Sequence, residues 1–242
     1  MKVLITGCSG GIGLAMTRIF LERGHAVAGL DMAVIAKEVL VKLTETGKFE
    51  FFLCDVSKSE TLPDIEGINI VVNNAGVSDE NNAIAVNLIG YINVGEKYAF
   101  LPNINSILNI NSIAAHTGIE FPYYSASQGG RHAYTKNLTL RLAKKGITVN
   151  SISPGGVLTD WNKNIIENAT LYKEVLGETL LGKWASPKEI AELAYFLTVT
   201  NKSITGQDII IDNGETARYN FVCKDEERSK LNAPVSLDTK KN

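Results

Sequence analysis

The sequence predicts an α/β fold: one doubly wound domain with a parallel sheet of about seven strands and helices on both faces. Three observations carry that expectation. Short apolar runs alternate with helix-period segments almost from end to end. The first run enters a glycine-rich loop, Thr6-Gly7-Cys8-Ser9-Gly10-Gly11-Ile12-Gly13, and a helical pattern follows. The second run ends on an acid, Asp31, 18 residues after Gly13.

Taken in order, residues 2–6 form a short apolar run closed by glycine, the pattern of a buried strand. Residues 12–23 have helical periodicity and stop at Gly24, a C-terminal signal. A strand over 25–31 and an amphipathic helix over 34–46, stopping at Gly47, come next. Residues 49–56 read as strand through Phe-Glu-Phe-Phe-Leu. A short polar piece, 57–67, leads to a strand over 68–72. Beyond it lie a helix over 81–100, a strand over 106–113, a long helix over 125–145 and a strand over 147–153. Residues 159–184 are mixed and partly helical. A helix over 187–198 has Ser186 as its cap and Pro187 at its first position. The last strand is 208–211. No linker divides residues 1–214, so one domain is expected there, with a polar C-terminal tail over 215–242.

Composition narrows the class. Hydrophobic residues make up 45% and charged residues 21% of 242, close to a folded globular chain. Lys plus Arg is 24 and Asp plus Glu is 26, a net charge of −2, and no basic stripe points to nucleic acid. No apolar run approaches the ~18 residues of a membrane span. The N-terminal run shows no small-residue cleavage site. Cys8, Cys54 and Cys223 are odd in number and scattered, which fits neither a disulfide framework nor a metal site. A cytoplasmic protein without a metal is the expectation.

The glycine loop carries chemistry. Residues without Cβ let the backbone turn tightly and approach a pyrophosphate, and the helix N-terminus offers that phosphate free N–H groups. A carboxylate at Asp31 can accept hydrogen bonds from adenosine ribose hydroxyls and would repel a 2′-phosphate, which favours NAD over NADP. An Asp that merely caps a loop at a strand end is the alternative.

With these residues in view, the sequence resembles the short-chain dehydrogenase/reductase family over about residues 1–214. Gly7, Gly11 and Gly13 have that family's spacing, and further motifs follow in family order. Asp55-Val56 stands at the adenine position, Asn73-Asn74-Ala75-Gly76 after the fourth strand, and Asn87 in the next helix. Ser112 ends the fifth strand, Tyr124 opens the long helix, and Pro154-Gly155-Gly156-Val157-Leu158-Thr159 follows the sixth strand. The resemblance implies a Rossmann-type fold with Gly7, Ser9, Gly11, Ile12, Gly13, Asp31, Asp55, Val56, Asn74, Ala75, Gly76, Pro154, Gly155, Val157 and Thr159 at the cofactor. It implies hydride transfer between a secondary alcohol or ketone and the nicotinamide. Tyr124 would be the general acid/base, Ser112 would hold the substrate oxygen, and Asn87 would hold a water of the proton relay. Residues 159–184 would form a lid with Trp161, Ile165, Ile166, Leu171, Tyr172 and Leu176 facing inward, or packing as an ordinary amphipathic face. A homotetramer or homodimer on the helices 81–100 and 125–145 is also implied, with Gly129-Gly130 and Ala133 permitting close helix contact.

One departure bears on the chemistry. The family places a lysine one helical turn after the tyrosine, where it lowers the phenol pKa and grips the nicotinamide ribose; here that position is Gln128. An amide can still donate to a ribose hydroxyl but brings no charge. Lys136 is three turns from Tyr124, too far to substitute. Arg131 is two turns from Tyr124 and one from Gln128, and His116 lies in the loop after Ser112, where a solvated role competes with one at the pocket. The chain is therefore a slow enzyme, a cofactor-binding protein without turnover, or a form whose lysine was replaced. Only 13 positions separate Asn74 from Asn87. A similar shortening occurs in hydroxysteroid dehydrogenase/carbonyl reductase-like members. A 3-oxoacyl-thioester reductase is the remaining alternative, and it would usually prefer NADP.

Overall fold

The computed structural model describes residues 1–119 and 121–218. The expected tail lies outside the described residues beyond position 218. Seven parallel strands form one sheet in the order β3-β2-β1-β4-β5-β6-β7. They are β1 (Lys2–Thr6), β2 (Ala26–Asp31), β3 (Phe49–Leu53), β4 (Ile68–Asn73), β5 (Ser106–Ile110), β6 (Thr148–Pro154) and β7 (Asp208–Ile211).

Strand side chains alternate between the two faces, so each strand feeds two cores. Val3 and Ile5 of β1 join Phe20 and Ile190 on one face, while Leu4 joins Val94, Tyr98 and Leu138 on the other. Pairing of β1 with β4 shifts between Lys2 and Val3, from Ile68 to Ile70. That irregularity lets Ile68 and Ile70, two residues apart, enter opposite cores.

The chain leaves β1 outward to β2 and β3, then returns to β4 on the other side of β1. This reversal opens a crevice at the carboxyl ends of β1 and β4, where ligands bind in open α/β sheets. The helices around it are α1 (Gly11–Glu22), α2 (Lys37–Thr44), α3 (Tyr91–Tyr98), α4 (Ala114–Thr117), α5 (Pro122–Leu142), α6 (Lys163–Ile166), α7 (Ala169–Leu176) and α8 (Pro187–Tyr195).

Several boundaries differ from the sequence expectation for identifiable reasons. The helix expected over 34–46 starts only at Lys37, because the Asp31 carboxylate accepts from Ala33 N–H and turns the chain. The strand expected over 49–56 stops at Leu53; Ser57 N–H and Oγ both donate to Asp55 Oδ1, so Asp55 and Val56 lie in a turn. The segment expected as one helix over 81–100 is π-wound over Ala83–Gly90 and α-helical only over Tyr91–Tyr98. Ser112 lies beyond β5 rather than ending it, its Oγ accepting from Ala114 N–H at the start of α4. The long helix begins at Pro122, so Tyr124 sits inside its first turn rather than opening it. Its start is set from outside, by the Glu80 carboxylate, which accepts from Tyr123 N–H (3.1 Å) and Tyr124 N–H (2.9 Å).

The start of α8 is set locally. Ser186 Oγ accepts from Glu189 N–H, and the Glu189 carboxylate accepts from Ser186 N–H, a reciprocal capping box. A hydrogen bond from Lys183, joined by those from Ser186, holds the Glu189 carboxyl at about 2. Substituting Ser186→Ala is expected to lower unfolding stability by about 1 kcal/mol at neutral pH, measured by urea denaturation. Because the Glu189 pKa is depressed, its contribution is complete above the ordinary carboxylate range and fades as pH falls toward about 2.

Candidate active site

The crevice is one cavity of about 650 Å³, within the usual size of small-molecule sites. The structure brings every sequence-selected cofactor and catalytic residue to its wall: the glycine loop, Asp31, the Asp55-Val56 turn, Asn74-Ala75-Gly76, Asn87, Ser112, Tyr124, Gln128 and the Pro154–Thr159 segment.

At the loop, Gly7 and Gly11 have positive φ (68° and 50°). A Cβ on Gly13 would stand 1.9 Å from Gly7 O and 2.8 Å from Asn74 Nδ2, so this backbone contact excludes any side chain there. Asn74 ties the loop to β4 by donating from Nδ2 to Thr6 O (2.9 Å) and Gly7 O (3.2 Å). Thr6 Oγ1, absent from the sequence reading, accepts from Asn74 N–H and Ala75 N–H, both at 2.9 Å. Asp31 Oδ2 accepts from Ser9 N–H (2.9 Å) and Ser9 Oγ–H (2.7 Å), and Oδ1 accepts from Ala33 N–H. Asp31 therefore caps the glycine loop while still lining the cavity. Hydrogen bonds from Ser57 hold the Asp55 carboxyl below its ordinary range.

Cys8 is fully buried, and burial pushes its thiol pKa far up, so it is a neutral packing group inside the loop. Cys54 is pushed up to about 11, again by burial. Gly156 packs flat on the Trp184 indole, and a Cβ there would fall 2.2 Å from the ring.

Tyr124 and Gln128 stand one turn apart on α5. Gln128 is 2% exposed, and its Oε1 has no hydrogen-bond partner among the described residues. An unpartnered acceptor on the wall of the same cavity as a glycine cradle that only backbone can approach fits a dinucleotide with ribose hydroxyls to donate. Those residues would hold it; when bound it supplies the hydride or accepts one.

The Asn87 side chain is held within the chain at three points. Its Oδ1 accepts from Val77 N–H (2.8 Å), and Nδ2 donates to Val77 O (2.9 Å) and Ser127 Oγ (3.3 Å). Its main-chain oxygen is engaged as well. Arg131 already donates there through Nε (2.5 Å), and also reaches Ile110 O through Nη1 (2.9 Å) and Ala75 O through Nη2 (2.7 Å). The guanidinium is stacked 4.3 Å from the centre of the Tyr91 ring. Neither the Glu80 cap nor this web has a local sequence signal: Glu80 lies 43 and 44 positions from the amides it holds.

Other expectations are resolved by placement. His116 is not at the cavity; its Nε2 bonds Asp208 (2.5 Å), beside His132. Trp161 and Ile165 line the cavity, whereas Ile166, Leu171, Tyr172 and Leu176 do not; Tyr172 meets Trp184 edge-on instead. Beside Tyr124, Tyr123 is 59% exposed and does not line the cavity, whereas Phe121 does. Gly130 is needed inside the chain, where a Cβ would fall 2.7 Å from Leu88 Cδ1.

The fold and site define a doubly wound dinucleotide-type domain with a tyrosine and a serine at the same cavity. A family model described as enoyl-(acyl carrier protein) reductase matches residues 7–216. The chain belongs to the short-chain dehydrogenase/reductase family of oxidoreductases. It is 31% identical over 242 residues to a 3-oxoacyl-[acyl-carrier-protein] reductase of Chlamydia pneumoniae, covering 89% of this chain and 96% of that one. Among solved structures it resembles an Agrobacterium tumefaciens protein described as a 2-deoxy-d-gluconate 3-dehydrogenase, with bound NADP. That pair has a TM-score of 0.80 and 26% identity, over 90% of this chain and 96% of the other. A 4-hydroxyisoleucine dehydrogenase complexed with NADH is similar, with a TM-score of 0.79 and 26% identity over 90% and 99%.

Substituting Gly13→Ala is expected to abolish nicotinamide dinucleotide binding, because the new methyl must displace Gly7 or Asn74. Fluorescence titration with NADH and NADPH, alongside circular dichroism to confirm folding, measures this.

Proposed function

We propose that the protein is an NAD(H)-dependent oxidoreductase that interconverts a secondary alcohol and a ketone. The observation that carries the reading is the convergence of the Gly13 cradle, Asp31, Ser112 and Tyr124 on one cavity wall. Ser112 Oγ accepts from Ala114 N–H, which leaves its O–H to donate to a substrate oxygen. Tyr124 passes the proton to that oxygen as the ketone is reduced and takes it back in the reverse direction. Asp31 is the argument for NAD, since a 2′-phosphate would be brought against a carboxylate at the end of β2. Trp161, Ile165, Val175 and Phe121 give the wall an apolar side, which suits an apolar substrate beneath the 159–184 lid.

The remaining expectations belong to the same reading. Residues 1–214 act as one cofactor-binding domain. Among the described residues no helix is long and apolar enough to cross a membrane, in keeping with a cytoplasmic protein. A homodimer or homotetramer would use the segments 81–100 and 125–145, with Gly129, whose added Cβ would meet nothing within 4 Å, on the open side. Reduction of a 3-oxoacyl thioester is a second reading, favoured by the likeness to the Chlamydia pneumoniae reductase and opposed by Asp31. A cofactor-binding protein without turnover is favoured only by Gln128.

Turnover with a ketone panel and NADH tests this reading. Substituting Tyr124→Phe is expected to lower turnover by about 10²–10⁴-fold while NADH affinity, read by fluorescence, is kept. Substituting Asp31→Ser is expected to raise the ratio of NADPH to NADH affinity. Absence of turnover in the native protein at every pH would leave a binding protein, and tight NADPH binding with weak NADH binding would reject the reading of Asp31.

A further inference from the structure

Arg131 is the sole Lys, Arg or His among the described residues lining the cavity, against the carboxylates of Asp31, Asp55, Asp160, Glu178 and Glu215. It is 3% exposed. Charged groups are rarely buried to that degree unless paired. Yet among the described residues it forms no ion pair. Three main-chain oxygens and the Tyr91 ring hold it instead. Carbonyl dipoles and a π face satisfy its N–H groups but leave its net charge uncancelled. A guanidinium does not give up its proton even where burial lowers its pKa.

Its position aims that charge at the reacting groups. Tyr124, Gln128 and Arg131 occupy positions i, i+4 and i+7 of α5, one stripe of the helix. Helical side chains lean toward the N-terminus, the direction in which Gln128 and Tyr124 lie on this helix, and all three residues line the same cavity. The guanidinium reaches Ile110 O at the end of β5 and Ala75 O just past β4, and a Cβ on Gly76 would touch its Nη2 at 3.3 Å.

We propose that Arg131 supplies the positive charge that favours ionisation of Tyr124, acting as a positioning residue in place of a lysine at 128. The proposal rests on the reading of Tyr124 as acid/base. Tyr124 in turn acts electrostatically on Arg131.

Among the described residues lining the cavity, the other charged groups do not supply the charge. Glu80 stands at the Tyr124 amide, and Asp160, Glu178 and Glu215 lie across the cavity; as carboxylates they oppose a tyrosinate. Tyr91, against the guanidinium, is kept neutral by its burial. Asp208 acts on Tyr91 and opposes its ionisation.

The test is the ultraviolet tyrosinate titration of the full chain without cofactor, with the Tyr124→Phe titration subtracted to isolate one phenol. Tyr124 is expected to ionise below the ordinary phenol value of about 10. In Arg131→Gln its midpoint is expected to rise by about one unit or more, and adding Gln128→Lys to that variant is expected to bring it back down. A native midpoint at or above the ordinary value overturns the proposal, and so does an Arg131→Gln midpoint equal to the native one. If Arg131→Gln does not fold, the native midpoint decides alone. Turnover is read separately: a low midpoint with no turnover on any ketone supports the role of Arg131 and rejects the enzyme reading.

Discussion

The approach of two backbones at the head of the crevice constrains everything around it. Gly13, at the start of α1, lies against the Gly7 carbonyl so closely that hydrogen is the largest substituent the position accepts. Asn74 and Thr6 lock the loop to β4, and Asp31 locks it to β2 through Ser9. Three neighbouring strands thus converge on one loop, and the amides at the head of α1 are left facing the cavity. Close packing of this kind tolerates no slack, which is why the site is built on strand ends rather than on long free loops.

The opposite end of the cavity depends on a buried charge. Arg131 ties Ala75 after β4, Asn87 in the π-wound segment and Ile110 in β5 into one web. The π winding of Ala83–Gly90 belongs to this arrangement: it carries Asn87 to Val77 and offers its main-chain oxygen to Arg131. A lysine at 128 and an arginine at 131 would crowd two cations onto adjacent turns of one stripe. Glutamine at 128 avoids that repulsion and retains a polar group at the wall, with Oε1 unpartnered.

Motifs bound to strand ends were legible from the chain alone. The glycine spacing, Asp31 and the Asn73–Gly76 segment each sit where an apolar run stops, and a run's end is a local property. Boundaries failed where a side chain outside the apolar pattern, near or far in sequence, captured backbone amides. Glu80 starts α5 earlier than the apolar pattern suggests, Ser57 cuts β3 short through Asp55, and Asp31 delays α2 through Ala33. Gly130 was read as room for a neighbouring copy, whereas it makes room for Leu88 of the same chain.

The amino-acid sequence by itself determined the α/β class, the parallel sheet and the place of the glycine loop between β1 and α1, because periodicity and glycine placement are written in consecutive residues. Only the tertiary structure decided which side chains share a wall and which cation lines the cavity with Tyr124. Sequence spacing alone left Arg131 two turns from Tyr124. Its burial and its three carbonyl partners arise from β4, β5 and the π-wound segment folding together, and no window of consecutive residues contains them.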